Sequence, residues 1–131
     1  MDKKILVVED DELLREMIEV ILQDEEFTTF AAQHGKEAID ILHNQDIDLV
    51  LSDISMPIMD GLELGVYCRE HFAHIPFVLM SGGSRELQNY DDRKYLDSGK
   101  EITAARYVLQ KPFDLIEFLK LIDQCFTDTQ N

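Results

Sequence analysis

Short apolar runs alternate with amphipathic segments along most of the chain, and this alternation restricts the possible folds more than any other feature. Five runs, most of them rich in Val, Ile and Leu, are predicted to be strands: 4–8, 27–32, 48–53, 75–81 and 106–110. Four segments with apolar residues at helical spacing are predicted to be helices: 11–25, 35–44, 61–72 and 114–126. Strands that alternate with helices in this way favour a parallel sheet covered by helices on both faces.

The same spacing predicts which helical residues face the sheet. The apolar stripe of the first predicted helix includes Met17 and Ile18, and that of the last includes Leu115 and Phe118. Residues 82–105 are polar and interrupted by glycines, and a further helix there is predicted only from about Asp92 to Ile102.

The length of 131 residues suits one compact domain, and a hydrophobic fraction of 45% argues against disorder. No apolar run approaches the roughly 20 residues of a membrane span. No secretory cleavage site follows the first residues. We therefore expect one cytoplasmic domain over residues 1–131 with no membrane partner. Cys68 and Cys125 fit no metal or redox spacing and are predicted to be reduced, buried thiols.

The formal net charge of −15 limits the possible partners. Nucleic-acid binding needs clustered Lys and Arg to neutralise phosphates, so no nucleic-acid partner is expected. A strongly acidic chain is compatible with a cation site, or with protein partners that carry basic patches.

Chemically capable side chains stand where four of the five predicted strands end. Glu9 and Asp10 follow the first strand, Asp53 ends the third, Ser81 ends the fourth and Lys111 follows the fifth. Functional groups of a doubly wound parallel sheet gather beyond the carboxyl ends of its strands. Each residue alone has an ordinary explanation as a helix cap or turn residue. Their coincidence at one sheet edge favours a functional site.

The chemistry of this set points to phosphoryl transfer. Several carboxylates in one crevice repel each other, and a hard divalent cation such as Mg²⁺ relieves that repulsion. Lys111 adds a positive point charge, and the Ser81 hydroxyl can donate to a bound oxyanion. One carboxylate can then act as nucleophile while the cations stabilise charge on the transferred oxygens.

Four motifs in order resemble the receiver domain of two-component response regulators: ILVVEDDELLREM, DLVLSDISMPIMDG, VLMSGG and VLQKPFDL. The resemblance covers nearly the whole chain. It implies a flavodoxin-like α/β fold, with a doubly wound five-stranded parallel sheet in the order 2-1-3-4-5. It also implies a response regulator that takes a phosphoryl group from a histidine kinase or phosphotransfer protein and signals to an unknown protein effector. The family is not enzymatic beyond its own phosphorylation and slow autodephosphorylation.

The resemblance assigns roles by position. It makes Asp53 the phosphoacceptor, Ser81 the hydroxyl that turns toward the phosphoryl group, and Lys111 the partner of a phosphoryl oxygen, with a cis bond before Pro112. The same resemblance implies Mg²⁺ or Mn²⁺ as cofactor. Its ligands would be Asp53, Asp10 directly, Glu9 mainly through water, and the backbone carbonyl of Ser55.

Three positions depart from the family pattern. Val108 stands where an aromatic switch residue is usual, and its neighbour Tyr107 faces the other side of the strand. Ala104 replaces a common glycine. Ser81 and Lys111 are 30 positions apart, which is longer than usual. We therefore expect phosphorylation to act mainly on residues 82–105.

Other functions fit the motifs less well. Phosphatases of the haloacid dehalogenase type need an acid two residues after the aspartate, where Ser55 stands here. A flavodoxin needs a hydroxyl- and glycine-rich phosphate loop after the first strand, where this chain is acidic. The spacing of a calcium loop is absent. Two alternatives stay open: the N-terminal receiver of a longer regulator, and an interaction module that is not phosphorylated.

Overall fold

Five strands form one parallel sheet in the computed structural model, which describes residues 2–81 and 105–130. The strands are β1 (Lys4–Val8), β2 (Thr28–Ala32), β3 (Leu49–Asp53), β4 (Phe77–Ser81) and β5 (Ala105–Gln110). Their order across the sheet is β2-β1-β3-β4-β5, and every neighbouring pair is parallel. The predicted strand order is therefore confirmed.

Four helices connect or follow the strands within the described ranges: α1 (Glu12–Asp24), α2 (Gly35–Asn44), α3 (Gly61–His71) and α4 (Leu115–Gln130). Side chains at all four helix starts accept backbone N–H bonds: Asp11 for α1, His34 for α2, Asp60 for α3 and Asp114 for α4. Such caps satisfy amide groups that lack partners in the first turn. The possible helix at 92–102 and the turn at Ala104 lie outside the described residues, as does all of the segment 82–105 except Ala105.

Successive strand residues point to opposite faces, and this alternation creates two separate apolar cores. On one face, Leu6 and Val8 of β1 lie in a core that includes buried residues of α2 and α3. On the other face, Ile5 and Val7 lie in a core with buried residues of α1 and α4. Helices therefore cover both faces, as a sheet with apolar residues on both sides requires.

Two residues expected to face the sheet do not. Met17 is 55% exposed and Leu115 is 52% exposed, so their assignment to the inner stripes was wrong. In α1 the buried positions are Ile18 and Leu22, and Met17 lies about 100° of helical rotation from Ile18. Leu115 is the first residue of α4, and the fully buried row begins only at Phe118.

Other side-chain predictions are confirmed. Cys68 and Cys125 are both buried and reduced, and burial raises the pKa of Cys68 to about 12, which keeps it protonated and unreactive. Tyr107 packs against the α1 and α4 side of the sheet, and Val108 packs against the α2 and α3 side. Tyr107 thus cannot occupy the place of an aromatic residue at position 108.

The strands are in a register that brings their carboxyl ends to one edge. Asp53 lies opposite Met80, and Ser81 lies opposite Gln110. Residues that follow these strand ends consequently meet above the same rim of the sheet. Within residues 2–81 and 105–130, no helix combines the length and apolar character needed to cross a membrane.

Gly61, at the start of α3, controls how closely that helix approaches β3. A Cβ atom at Gly61 would lie 2.1 Å from the backbone oxygen of Asp53 and 2.8 Å from the Cα of Ile54. At Gly35 an added Cβ would instead meet the Met59 side chain, at 2.6 Å from its Cγ. A backbone atom of a strand cannot move aside as a flexible side chain can.

We predict that Gly61→Ala destabilises the chain by about 2–4 kcal/mol, because α3 must move away from β3. Gly35→Ala is the matched control and should cost less, since an added Cβ there would meet the half-buried Met59 side chain, which can shift, and no strand backbone. Urea denaturation of both variants measures the difference. A smaller loss for Gly61→Ala than for Gly35→Ala would contradict this account of the α3–β3 contact.

Candidate functional site

The carboxylates predicted from the strand ends do come together. Glu9, Asp10 and Asp53 each offer one oxygen, and these oxygens all lie within 4.8 Å of one another. Glu9 is 1% exposed and Asp53 is 9% exposed, whereas Asp10 lies at the surface. The cluster is thus buried on one side and open to solvent on the other.

Lys111 connects the end of β5 to this cluster. Its Nζ lies 2.8 Å from Oε1 of Glu9 and 3.2 Å from Oδ1 of Asp53. The Lys111–Pro112 peptide bond is cis, as expected. One ammonium group therefore contacts carboxylates that follow two different strands.

Backbone contacts hold the acidic residues in place. The Glu9 amide donates to the carbonyl of Ala32 at 3.0 Å, and the Asp11 amide donates to Oε2 of Glu9 at 3.3 Å. Arg15 in α1 donates from Nη1 to the backbone carbonyl of Glu9 at 2.8 Å. The sequence reasoning missed Arg15. Its position six residues after Glu9, in the first turns of a helix, was the available signal.

Ser81 lies at the end of β4 with its hydroxyl buried. Among the residues that the structure describes, its Oγ has no hydrogen-bond partner. The backbone carbonyl of Ser81 accepts from the amide of Lys111, which links the ends of β4 and β5. A buried hydroxyl without a partner is costly, and the role of Ser81 as a donor to a bound oxyanion stays a prediction.

The electrostatics of the cluster are dominated by desolvation. Burial raises the pKa of Glu9 above its ordinary value, and it outweighs the lowering effect of the hydrogen bond from Lys111. Burial also raises the pKa of Asp53 against the opposing charge of Lys111. The pKa of Asp10 is raised by desolvation and then by its interactions with Glu9. Each ionised carboxylate therefore carries a free-energy cost in the folded chain.

Lys111 responds to the same surroundings in the opposite sense. Burial lowers the pKa of its ammonium group, but the hydrogen bond to Glu9 and the charge of Asp53 outweigh that effect and raise it overall. Lys111 is consequently charged at neutral pH. One ammonium against three carboxylates leaves negative charge in excess at the rim.

This donor set fits a hard divalent cation. Carboxylate oxygens are the ligands that such ions prefer, and a doubly charged ion would offset the remaining repulsion. Ser55 lies two residues after Asp53 and is half-buried. The role of its backbone carbonyl as a ligand stays a prediction.

Comparison with known proteins identifies the family to which the chain belongs. The sequence matches the response regulator receiver domain family over residues 5–123. It is 31% identical over 117 residues to sporulation initiation phosphotransferase F of Bacillus subtilis, covering 89% of this chain and 88% of that protein. It is 34% identical over 123 residues to a probable transcriptional regulatory protein of Picosynechococcus, covering 88% of this chain but only 46% of that protein.

A solved structure supports the same grouping. The response regulator protein TrrA of Thermotoga maritima, determined with Mg²⁺ and BeF, superimposes with a TM-score of 0.79 at 28% identity. The match covers 94% of this chain and 98% of that one. The fold expectation drawn from the motifs is therefore confirmed.

The raised carboxyl pKa values make a prediction about stability. A carboxyl group whose pKa is higher folded than unfolded contributes favourably below its ordinary pKa, and that contribution is lost as pH rises through the raised value. At pH 7.5 with EDTA present, Asp53→Asn should therefore raise the melting temperature by a few degrees. The gain should shrink as pH falls toward 4.

Differential scanning calorimetry of both proteins across this pH range measures the effect. Asp46→Asn, at an exposed position in the loop before β3, is the matched control and should leave the melting temperature nearly unchanged. A lower melting temperature for Asp53→Asn at pH 7.5 would show that the Lys111 contact outweighs desolvation.

Proposed function

Because the chain belongs to the response regulator receiver domain family, we propose that it accepts a phosphoryl group on Asp53 from the phosphohistidine of a histidine kinase or phosphotransfer protein. The observation that carries this assignment is the Lys111 ammonium, which lies within 3.2 Å of Asp53 inside a cluster of three carboxylates. An ammonium group beside a carboxylate reduces the repulsion between that carboxylate and an anionic phosphoryl group that it attacks.

Asp53 is the nucleophile in the proposed reaction. A carboxylate oxygen of Asp53 attacks phosphorus, and a P–O bond forms as the P–N bond to the donor imidazole breaks. The donor imidazole carries a proton on its other ring nitrogen, so when the electron pair of the broken bond returns to the nitrogen that held phosphorus, the ring leaves as neutral imidazole. The side chain of Asp53 is only 13% exposed, so attack takes place below the rim with little competing water.

Lys111 and Ser81 stabilise the product. The Lys111 ammonium already contacts Oδ1 of Asp53. As negative charge develops on the transferred oxygens, the same ammonium can bind and stabilise them. The buried Ser81 hydroxyl gains an acceptor when a phosphoryl oxygen arrives beside it. This new bond would pull on the start of the segment after β4.

The metal assignment follows from the same cluster. We propose that Asp10, Asp53 and the carbonyl of Ser55 hold Mg²⁺ or Mn²⁺ directly and that Glu9 acts mainly through water. When bound, the ion supplies positive charge to the phosphoryl oxygens. Glu9 also positions Lys111, because its Oε1 binds the ammonium group that lies beside Asp53.

The remaining proposals concern the wider role of the chain. We propose one receiver domain over residues 1–131, located in the cytoplasm, with no enzymatic activity beyond self-phosphorylation and slow autodephosphorylation. Its effector is a protein. The net charge of −15 argues against direct contact of this segment with nucleic acid.

Because the chain spans less than half of the Picosynechococcus relative, a longer regulator with a separate output domain is the second candidate.

The acceptor assignment has a direct test. We expect the chain to gain one phosphoryl group from acetyl phosphate when Mg²⁺ is present, and intact-mass spectrometry measures the gain. Asp53→Asn should abolish it, whereas Asp46→Asn, in the exposed loop before β3, should not. Labelling of Asp53→Asn to the wild-type extent would place the acceptor elsewhere.

The two acidic residues after β1 are expected to differ in metal binding. Asp10→Asn removes a direct ligand and should weaken Mg²⁺ binding by at least about tenfold. Glu9→Gln should weaken it less, because Glu9 acts through water and keeps a side chain that Lys111 can contact. Isothermal titration calorimetry with Mg²⁺ decides between them. A greater loss for Glu9→Gln would reverse the two roles.

A further inference from the structure

Ile58, in the loop after β3, combines two unfavourable features. Its backbone has a φ of 68°, which a β-branched residue rarely adopts. Its apolar side chain is also 70% exposed. Glycine or asparagine would suit this backbone better, and a polar side chain would suit this exposure better. Neither the fold nor the Asp53 cluster accounts for an isoleucine here.

The surrounding contacts impose this backbone conformation. The Met59 amide donates to the carbonyl of Pro57 at 2.7 Å, which closes a three-residue turn centred on Ile58. Such γ-turns with a positive φ are rare and strained. The Met59 carbonyl in turn accepts from the amide of Gly35 at 2.9 Å. The loop is thus tied to the start of α2, and strain of this kind persists only where neighbouring contacts enforce it.

The position of Ile58 relates it to Asp53. The loop begins directly after Asp53, whose side chain is only 13% exposed. A protein that brings a phosphohistidine to this recessed carboxylate must therefore cover the rim to which the loop belongs. A small donor such as acetyl phosphate has no such requirement.

Other exposed apolar residues lie on elements that start from the same rim. Leu13 and Met17 lie in the first turns of α1, and Leu115 is the first residue of α4, with exposed fractions from 52% to 79%. The fold does not require apolar side chains at such exposed positions, since glycine, alanine or a polar residue would be tolerated there. Exposed apolar residues on elements that begin at the rim of a reactive group favour a protein contact there.

The charge around this surface defines the partner further. Asp10, Asp11, Glu12 and Glu16 are all exposed at the start of α1. A partner that approaches Asp53 here meets apolar side chains bordered by carboxylates. Its complementary surface would carry apolar residues bordered by Lys or Arg.

We propose that Ile58 is a docking residue for the protein phosphodonor, which meets it with an apolar side chain bordered by basic residues. This proposal rests on the proposed role of Asp53 as phosphoacceptor. Ile58 does not touch the reacting atoms. Its contribution is to the affinity of a protein donor, at the expense of folding stability.

The experiment compares two donors on the full chain. One donor is acetyl phosphate, and the other is the autophosphorylated catalytic portion of the host histidine kinase that labels the wild-type chain fastest in a screen of host kinases. The variants are Ile58→Gly and Ile58→Asn, which both accept a positive φ, and Ile58→Leu, which keeps an apolar side chain. Transfer rates are measured across kinase concentrations, so that changes in KM and kcat are separated.

We expect Ile58→Gly and Ile58→Asn to lower the ratio of kinase transfer to acetyl phosphate labelling by about tenfold, mainly through KM. Ile58→Leu should stay within about threefold of the wild-type ratio, because apolar contact is retained. The melting temperatures of the Gly and Asn variants should rise by roughly 2–5 °C as backbone strain is released.

Glu26 supplies a matched control for the backbone effect. It has a φ of 70°, but it lies just before β2, at the opposite end of the sheet from Asp53. Glu26→Gly should relax its backbone in the same way and leave the ratio of the two donors at the wild-type value.

Each contrary outcome has a distinct meaning. An unchanged ratio in Ile58→Gly and Ile58→Asn overturns the docking proposal, as does an equal loss with both donors, which would indicate a distorted loop. Labelling by acetyl phosphate with no transfer from any host kinase also overturns it and leaves Asp53 as acceptor. Dimerisation of the wild-type chain that Ile58→Asn abolishes would assign the surface to a second copy. Failure of acetyl phosphate to label Asp53 would instead reject the proposed function itself.

Discussion

Contact between one half-buried ammonium and two carboxylates is the interaction on which the site depends. Lys111 reaches Glu9 and Asp53 across sequence separations of 102 and 58 residues. It can do so because β1, β3 and β5 are parallel and end at the same edge of the sheet. Without this cation the carboxylates would face each other in a partly desolvated crevice. The order of the five strands thus brings together Lys111, Glu9 and Asp53, which lie far apart in the sequence.

The site is stabilised incompletely, and this incompleteness has a chemical use. Desolvation raises the pKa values of Glu9, Asp10 and Asp53 even with Lys111 in contact. The buried Ser81 hydroxyl has no partner among the described residues. Excess negative charge favours a divalent cation, and the hydroxyl favours an incoming oxyanion. A fully satisfied network would leave little binding energy for either.

Strain in the loop after β3 follows the same principle. The γ-turn at Ile58 is held by backbone hydrogen bonds from Met59 to Pro57 and from Gly35 to Met59, so these neighbouring contacts impose the cost. Gly61 then lets α3 begin directly against the backbone of Asp53. Contacts on both sides of the loop therefore hold the Asp53 carboxylate in place and leave the Ile58 side chain exposed in the loop that follows it.

The sequence by itself determined the alternation of strands and helices, the burial of both sheet faces and the residues that end each strand. These features depend on local periodicity, which a single chain segment carries. The residues at the strand ends could be assembled in advance because parallel strands have only one carboxyl edge. Only the tertiary structure decided that Lys111 pairs with Glu9 as well as Asp53, that Arg15 holds the Glu9 backbone, and that Ile58 has a positive φ. Met17 and Leu115 were assigned inward because helical spacing does not fix how far an apolar stripe extends around a helix or at which residue its buried row begins. Distances between side chains far apart in sequence, and the backbone angles that packing enforces, depend on the whole fold and leave no periodic trace in the chain.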